Sequence, residues 1–79
     1  MNLMQGKFTL YEILDTIDSS PAYTDITEIV IKKGSKIDFK QVVSSSVDEA
    51  VSVIKSKYPS DTAVKYHCRD KNKIRIQLG

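Results

Sequence analysis

The sequence predicts an α+β domain in the order helix, hairpin, helix, hairpin (αββαββ), with a four-stranded antiparallel sheet and two helices packed on one of its faces. Three observations predict it. Two segments carry apolar residues at helical spacing behind a capping signal. Each is followed by two stretches that alternate apolar and polar residues around a short turn. A shift of 37 positions also lays residues 9–41 over 46–78 without a gap, apolar position on apolar position. The two halves thus read as pseudo-repeats sharing one interior, related by a pseudo-two-fold. Two copies are too few for a solenoid.

Residues 1–7 read as a lead-in to a single domain spanning 1–79. The first helix opens on Thr9-x-x-Glu12, a capping box in which the hydroxyl accepts from an orphan amide and Glu12 reaches back. Leu10, Ile13, Leu14 and Ile17 form its apolar stripe. Pro21 disfavours helical geometry at Ser20 and stops it. Residues 26–32 are rich in β-branched side chains and read as a strand, with Ile29 and Ile31 inward and Glu28, Val30 and Lys32 outward. Gly34 supplies the turn. The strand returns over 37–43, with Ile37 and Phe39 inward and Asp38 and Lys40 outward.

Ser46-x-x-Glu49 repeats the capping box, and Val47, Ala50, Val51, Ile54 and Tyr58 form the second stripe. Pro59-Ser60-Asp61 breaks that helix. Residues 63–69 read as the third strand, with Val64, Tyr66 and Cys68 inward and Lys65, His67 and Arg69 outward. Asp70-Lys71-Asn72 is the turn, with Asn72 suited to a positive φ. The fourth strand, 73–78, puts Ile74, Ile76 and Leu78 inward and Arg75 and Gln77 outward. The order of the strands is left open by the pattern.

At 79 residues the chain is one small domain, 41% hydrophobic and 28% charged, an ordinary soluble composition. So short a chain hides only roughly 60% of its unfolded surface, which leaves room for a homodimer that pairs sheet edges as well as for a monomer. No apolar run approaches a membrane span, and no signal peptide is read, so a cytoplasmic home is the default expectation. One cysteine excludes an internal disulfide. The net charge is +2, but residues 1–41 carry −1 and residues 42–79 carry +3. The excess lies in the last hairpin.

Little in the chain points to catalysis. His67 and Cys68 are neighbours in a strand and point to opposite faces, so they form no nucleophile–base pair. Cys68 reads as a small core hydrophobe and His67 as a solvated sheet-face residue. No phosphate-binding glycine loop, paired-carboxylate motif or zinc ligand set is present. The expectation is a non-enzymatic protein with no cofactor and no metal.

The hairpin tips are the most suggestive feature. The first carries Lys32, Lys33 and Lys36, and the second carries Arg69, Lys71 and Lys73. Splayed like wings, the two tips would track nucleic-acid phosphates, with the outward residues Lys40, Lys65, His67 and Arg75 extending the surface. No aromatic pair is expected on the wet face as a stacking platform. The alternative is a protein-binding regulator or inhibitor of the phage type. It would act through an unpaired sheet edge or the acidic face of helix one, Glu12, Asp15 and Asp18, where Asp15 and Asp18 oppose the helix dipole.

The order helix, hairpin, helix, hairpin, with the basic turns Lys33-Gly34-Ser35-Lys36 and Lys71-Asn72-Lys73, resembles the double-wing domain at the C-terminus of the phage transcription activator MotA, which binds DNA. The likeness covers residues 9–78 and is one of topology. It implies a phage or prokaryotic DNA-binding module.

Overall fold

A computed structural model describes residues 8–79, so the lead-in expected over 1–7 lies outside the described residues. Strand β1 (Phe8–Thr9) runs straight into helix α1 (Leu10–Ser19). The capping box forms as the sequence predicts: the Glu12 amide donates to Thr9 Oγ1 at 3.2 Å, and the Thr9 amide donates to Glu12 Oε1 at 2.8 Å. Leu10, Ile13, Leu14 and Ile17 are all buried. Ser20 is extended, as a residue before proline should be, and its hydroxyl caps a short 3₁₀ turn over Pro21–Tyr23. Helix α2 (Val47–Lys55) buries Ala50, Val51 and Ile54, but its capping box does not form. Ser46 makes no side-chain cap bond, and Glu49 instead accepts from the Ser45 hydroxyl at 2.8 Å. The helices are tied by the Asp15–Lys55 ion pair and by the Tyr11 hydroxyl. That hydroxyl donates to the carbonyls of Lys55, which the helix end leaves without a helical partner, and of Tyr58 beyond it.

The main sheet contains β2 (Glu28–Lys33), β3 (Lys36–Val42), β5 (Tyr66–Asp70) and β6 (Lys73–Gln77), in the order β3-β2-β6-β5. A short strand β4 (Ala63–Val64) pairs separately with β1. Each hairpin is antiparallel as expected. The hairpins join, however, through β2 and β6, which run parallel from Glu28–Lys73 to Lys32–Gln77. The sheet is therefore mixed. A two-fold axis would pair equivalent strands at the centre, β2 with β5 or β3 with β6, so the pseudo-two-fold is absent. The parallel pair also sends the two hairpin turns to opposite ends of the sheet.

One face of the sheet packs on both helices. Ile29, Ile31, Ile74 and Ile76 are fully or almost fully buried and meet Ile13, Val51, Ile54 and Ile26 in one core. Truncating any of the four to alanine would cost roughly 2–5 kcal/mol. Two irregularities reset the side-chain phase elsewhere. In β3 the register shifts beside Ile31 and Lys32: Phe39 opposes Ile31, Ile37 opposes Lys32, and Asp38 is the extra residue of a bulge. Phe39 stays inward, but Ile37 turns outward and is 58% exposed, and Asp38 accepts from the Tyr58 hydroxyl on the helix side. At Lys65 the chain bends between β4 and β5, and its amide donates to the Gln77 carbonyl at 2.8 Å. Val64 is buried beside its cross-strand partner Phe8 in the small sheet, but the residues of β5 after the bend are inverted. Tyr66 and Cys68 oppose Gln77 and Arg75 on the open face, while His67 and Arg69 oppose Ile76 and Ile74 on the helix-facing side.

Gly34 takes φ +64° at the first turn as expected, but at the second turn Lys71 takes φ +58° in place of Asn72. Asn72 is held instead by its side-chain amide, which donates to the Asp25 carbonyl at 2.9 Å. Among the described residues, no helix is long and apolar enough to cross a membrane.

Two measurements check this packing. A left-handed backbone is strained for lysine and free for glycine, so Lys71→Gly should raise stability by roughly 0.5–1 kcal/mol in urea unfolding. Burial, then the hydrogen bond to Asp38 and the charge of Asp38, push the Tyr58 phenol well above its ordinary value of 10.0. The fold thus favours the neutral phenol. Its contribution is complete below that value and is lost as pH climbs from there through the folded pKa. The urea midpoint should fall as pH rises above about 10, and Tyr58→Phe should flatten that fall.

Candidate nucleic-acid interface

The open face of the sheet is a grid of three rows, because directly paired residues share a face. Nearest the first turn, a row runs Ile37, Lys32, Gln77, Tyr66 across β3, β2, β6 and β5. The middle row runs Lys40, Val30, Arg75, Cys68. The far row runs Val42, Glu28, Lys73, Asp70. Rows lie about 7 Å apart and strands about 4.8 Å apart.

Charge is distributed unevenly over this grid. Both carboxylates, Glu28 and Asp70, sit in the far row. Glu28 is the local sink: Lys40 Nζ and Lys73 Nζ each lie 3.5 Å from its carboxylate, whose side chain is only 15% exposed. Lys32 and Arg75 make no ion pair among the described residues, and neither do Lys33 and Lys36 at the adjoining turn. The end of the face next to the first turn therefore carries lysines and, among the described residues, no acidic side chain. Tyr66 stands there too, half exposed. Val30 and Cys68 are shorter than the cations around them, which leaves a shallow hollow of about 320 Å³ beside Arg75, lined also by Ile37 and Lys40 and, at its far side, by Lys73, Glu28 and Asp70.

Gln77 fixes this end. Its side chain belongs to the open face but is only 7% exposed. The amide nitrogen donates to the carbonyls of Gly34 and Gly79 at 2.8 and 2.7 Å, and the Gly34 amide donates to Gly79 at 2.8 Å. The first turn is thereby clamped to β6, and Lys33 and Lys36 are held in a fixed relation to Arg75.

The expected basic residues separate into two groups. Lys32, Lys33 and Lys36 gather at one end, Arg75 follows in the middle row, and Lys65 sits at the bend beside Tyr66. Lys71 and Lys73 lie at the opposite end, where Lys73 faces Glu28. Arg69 is fully engaged on the helix-facing side. Its guanidinium reaches Asp25 at 2.6 Å and the carbonyls of Ala22 and Lys71, and it lies 5.6 Å from the Tyr23 ring centre. It staples the 3₁₀ turn to β5. On helix α1, Glu12 is used by the cap and Asp15 by Lys55, which leaves Asp18 as the member of the acidic face without either engagement.

His67 lines a second, more apolar groove of about 390 Å³ between α1 and β5, with Phe8, Glu12, Ile13, Ile17 and Tyr23. Among the described residues no cluster of metal-ligating side chains accompanies it. Cys68 lies half-buried on the open face as a free thiol, outside the core where the sequence pattern put it.

Tyr66 is the site residue that sequence reasoning missed. The run Val64-Lys65-Tyr66-His67-Cys68 alternates without a local mark of the bend. The signal lay across the hairpin: a two-residue turn at Lys71-Asn72 pairs Asp70 with Lys73, and inward Ile74 and Ile76 then require Arg69 and His67 to face inward beside them. No protein-family model, curated protein or solved structure matches this chain.

Proposed function

We propose that this protein is a small non-enzymatic module that binds nucleic acid through the open face of its sheet and the first hairpin turn. The observation that carries the reading is that Lys32, Lys33 and Lys36 at the first-turn end and Arg75 in the next row make no ion pair among the described residues, and that no acidic side chain among those residues stands in their two rows. Such a field attracts a polyanion, and each neutralised phosphate releases counterions. The element order, which resembles that of the double-wing DNA-binding domain, supports DNA as the target at the level of fold analogy. The contact differs from two symmetric wings, since the second turn lies at the far end of the sheet beside Glu28 and Asp70.

A second reading keeps one specific support. Strand β3 is an edge with its outer hydrogen-bonding groups unpaired in the sheet order, and Ile37 and Val42 on it are both more than half exposed. A partner strand added there would make this a protein-binding regulator or a homodimer. The acidic-face version has less support, with Glu12 and Asp15 already engaged.

Substituting Lys32, Lys33 and Lys36 together by alanine should weaken binding to nucleic acid at low salt by tenfold or more. The slope of log K against log salt should become shallower by about 2 to 3. Lys71→Ala, at the other end, should change affinity less than about twofold. Absence of binding at low salt, or a triple variant that binds like the parent, would remove the reading. If Ile37→Lys abolishes capture of a protein partner that the triple variant still captures, the edge-strand reading takes its place. A monomer mass in sedimentation at micromolar concentration would exclude the homodimer form of it.

A further inference from the structure

We infer that the strand this face takes is single-stranded, with Tyr66 as a stacking platform for an unpaired base and Arg75 as the cation at the centre of its path. The inference rests on the nucleic-acid reading above and adds the class of ligand to it. Three features of the face carry it.

Tyr66 is the first. It stands on the open face at the cationic end, 50% exposed, in the row that also holds Lys32. An aromatic ring gains nothing from a duplex lying over it, because paired bases show their π-faces only to one another. An unpaired base can lie on the ring, and stacking of this kind is tolerant of base identity.

Shape is the second. Arg75 sits one strand and one row from Tyr66, and Lys32 one strand and one row from Arg75 on its other side, each step about 8 Å by strand geometry. Arg75 and Lys32 line the hollow floored by Val30 and Cys68, whose far side holds Glu28 and Asp70, and Tyr66 stands outside that lining at the adjoining corner. An exposed ring one strand and one row from Arg75 puts a stacking surface for a base within a nucleotide's length of a cation for its phosphate. The hollow is recessed below the cations, so a rigid duplex resting on Lys33 and Lys36 would bridge over it and leave its floor untouched.

The third is where the path ends. Glu28 and Asp70 occupy the far row, so a phosphate carried past Arg75 would meet carboxylates. The strand therefore runs between the first turn and the Tyr66 corner. The clamp of Gln77 on Gly34 holds those two ends in register.

The test uses the whole chain, a fluorescently labelled oligo-dT of about ten nucleotides, and a mixed-sequence duplex of the same length, at one low salt concentration. The single strand should bind at least about tenfold more tightly than the duplex. Tyr66→Ala should remove that margin, with a loss of about tenfold or more for the single strand and less than about twofold for the duplex. Tyr66→Phe should keep it, since the ring is retained. Unchanged urea midpoints for both variants would show that the fold is intact. If the duplex binds as tightly as the single strand, or if Tyr66→Ala weakens both alike, the inference is overturned while nucleic-acid binding stands. If neither oligonucleotide binds, both fail together.

Discussion

The parallel pairing of β2 with β6 is the constraint on which the rest of the molecule depends. It is the seam between two hairpins that are otherwise local structures, and it places Ile29 beside Ile74 and Ile31 beside Ile76. Those four side chains give the two helices a common surface to cover. Without the seam each hairpin would be an isolated two-stranded ribbon, which is marginal in water. A parallel pair needs a long connection, and the return of β3, helix α2 and strand β5 provide it. The same seam puts the turns at opposite ends, and it sets Lys32, Val30 and Glu28 in register with Gln77, Arg75 and Lys73. The charge pattern of the open face is therefore a consequence of core packing.

How much of this was legible in the sequence depended on whether a feature was local. The helix α1 stripe, its capping box, the hairpin positions and the inward phase of Ile29, Ile31, Ile74 and Ile76 are all written within a few residues. What was not legible is what one segment imposes on another. The extra residue at Asp38 has meaning only against the straight strand β2, and the bend at Lys65 exists because Val64 is claimed by Phe8 while Tyr66 is claimed by Gln77. A single inserted residue inverts every side chain beyond it, which is why Ile37, Tyr66 and Cys68 all left the core and His67 and Arg69 turned toward the helices. The apparent duplication misled for the same reason. It carried apolar positions from Ile29 and Ile31 onto Tyr66 and Cys68, but the second copy meets a bend that the first lacks.

The candidate site was legible in kind and not in place. Basic residues near the turns were visible, but which of them are free is decided by carboxylates distant in sequence. Asp25 engages Arg69 from 44 positions away, and Glu28 lies within reach of both Lys40 and Lys73. Counting charges along the chain gave the last hairpin the larger excess, but ion pairs take up Arg69 and Lys73 there, whereas Lys32, Lys33 and Lys36 at the first turn make none among the described residues. Formal charge overstates a basic patch wherever an acid folds back onto it, and exposed pairs of this kind matter more for the local field than for stability.

The edges of the sheet bear on why such a face would remain available. A four-stranded sheet with one face uncovered among the described residues and two edge strands invites self-association. Here β3 carries a bulge at Asp38 and lysines at both Lys36 and Lys40, and β5 begins at a bend and is only five residues long. These features blunt the edges against strand pairing without covering the face between them. The face itself interleaves cations with Val30, Cys68 and Ile37, so no broad apolar patch forms that a second copy could bury. On the proposed nucleic-acid reading, this is the face a ligand of opposite charge would meet. Its charge pattern follows from the positions of Lys32, Arg75 and the bulge, and it needs no symmetry between the two halves of the chain.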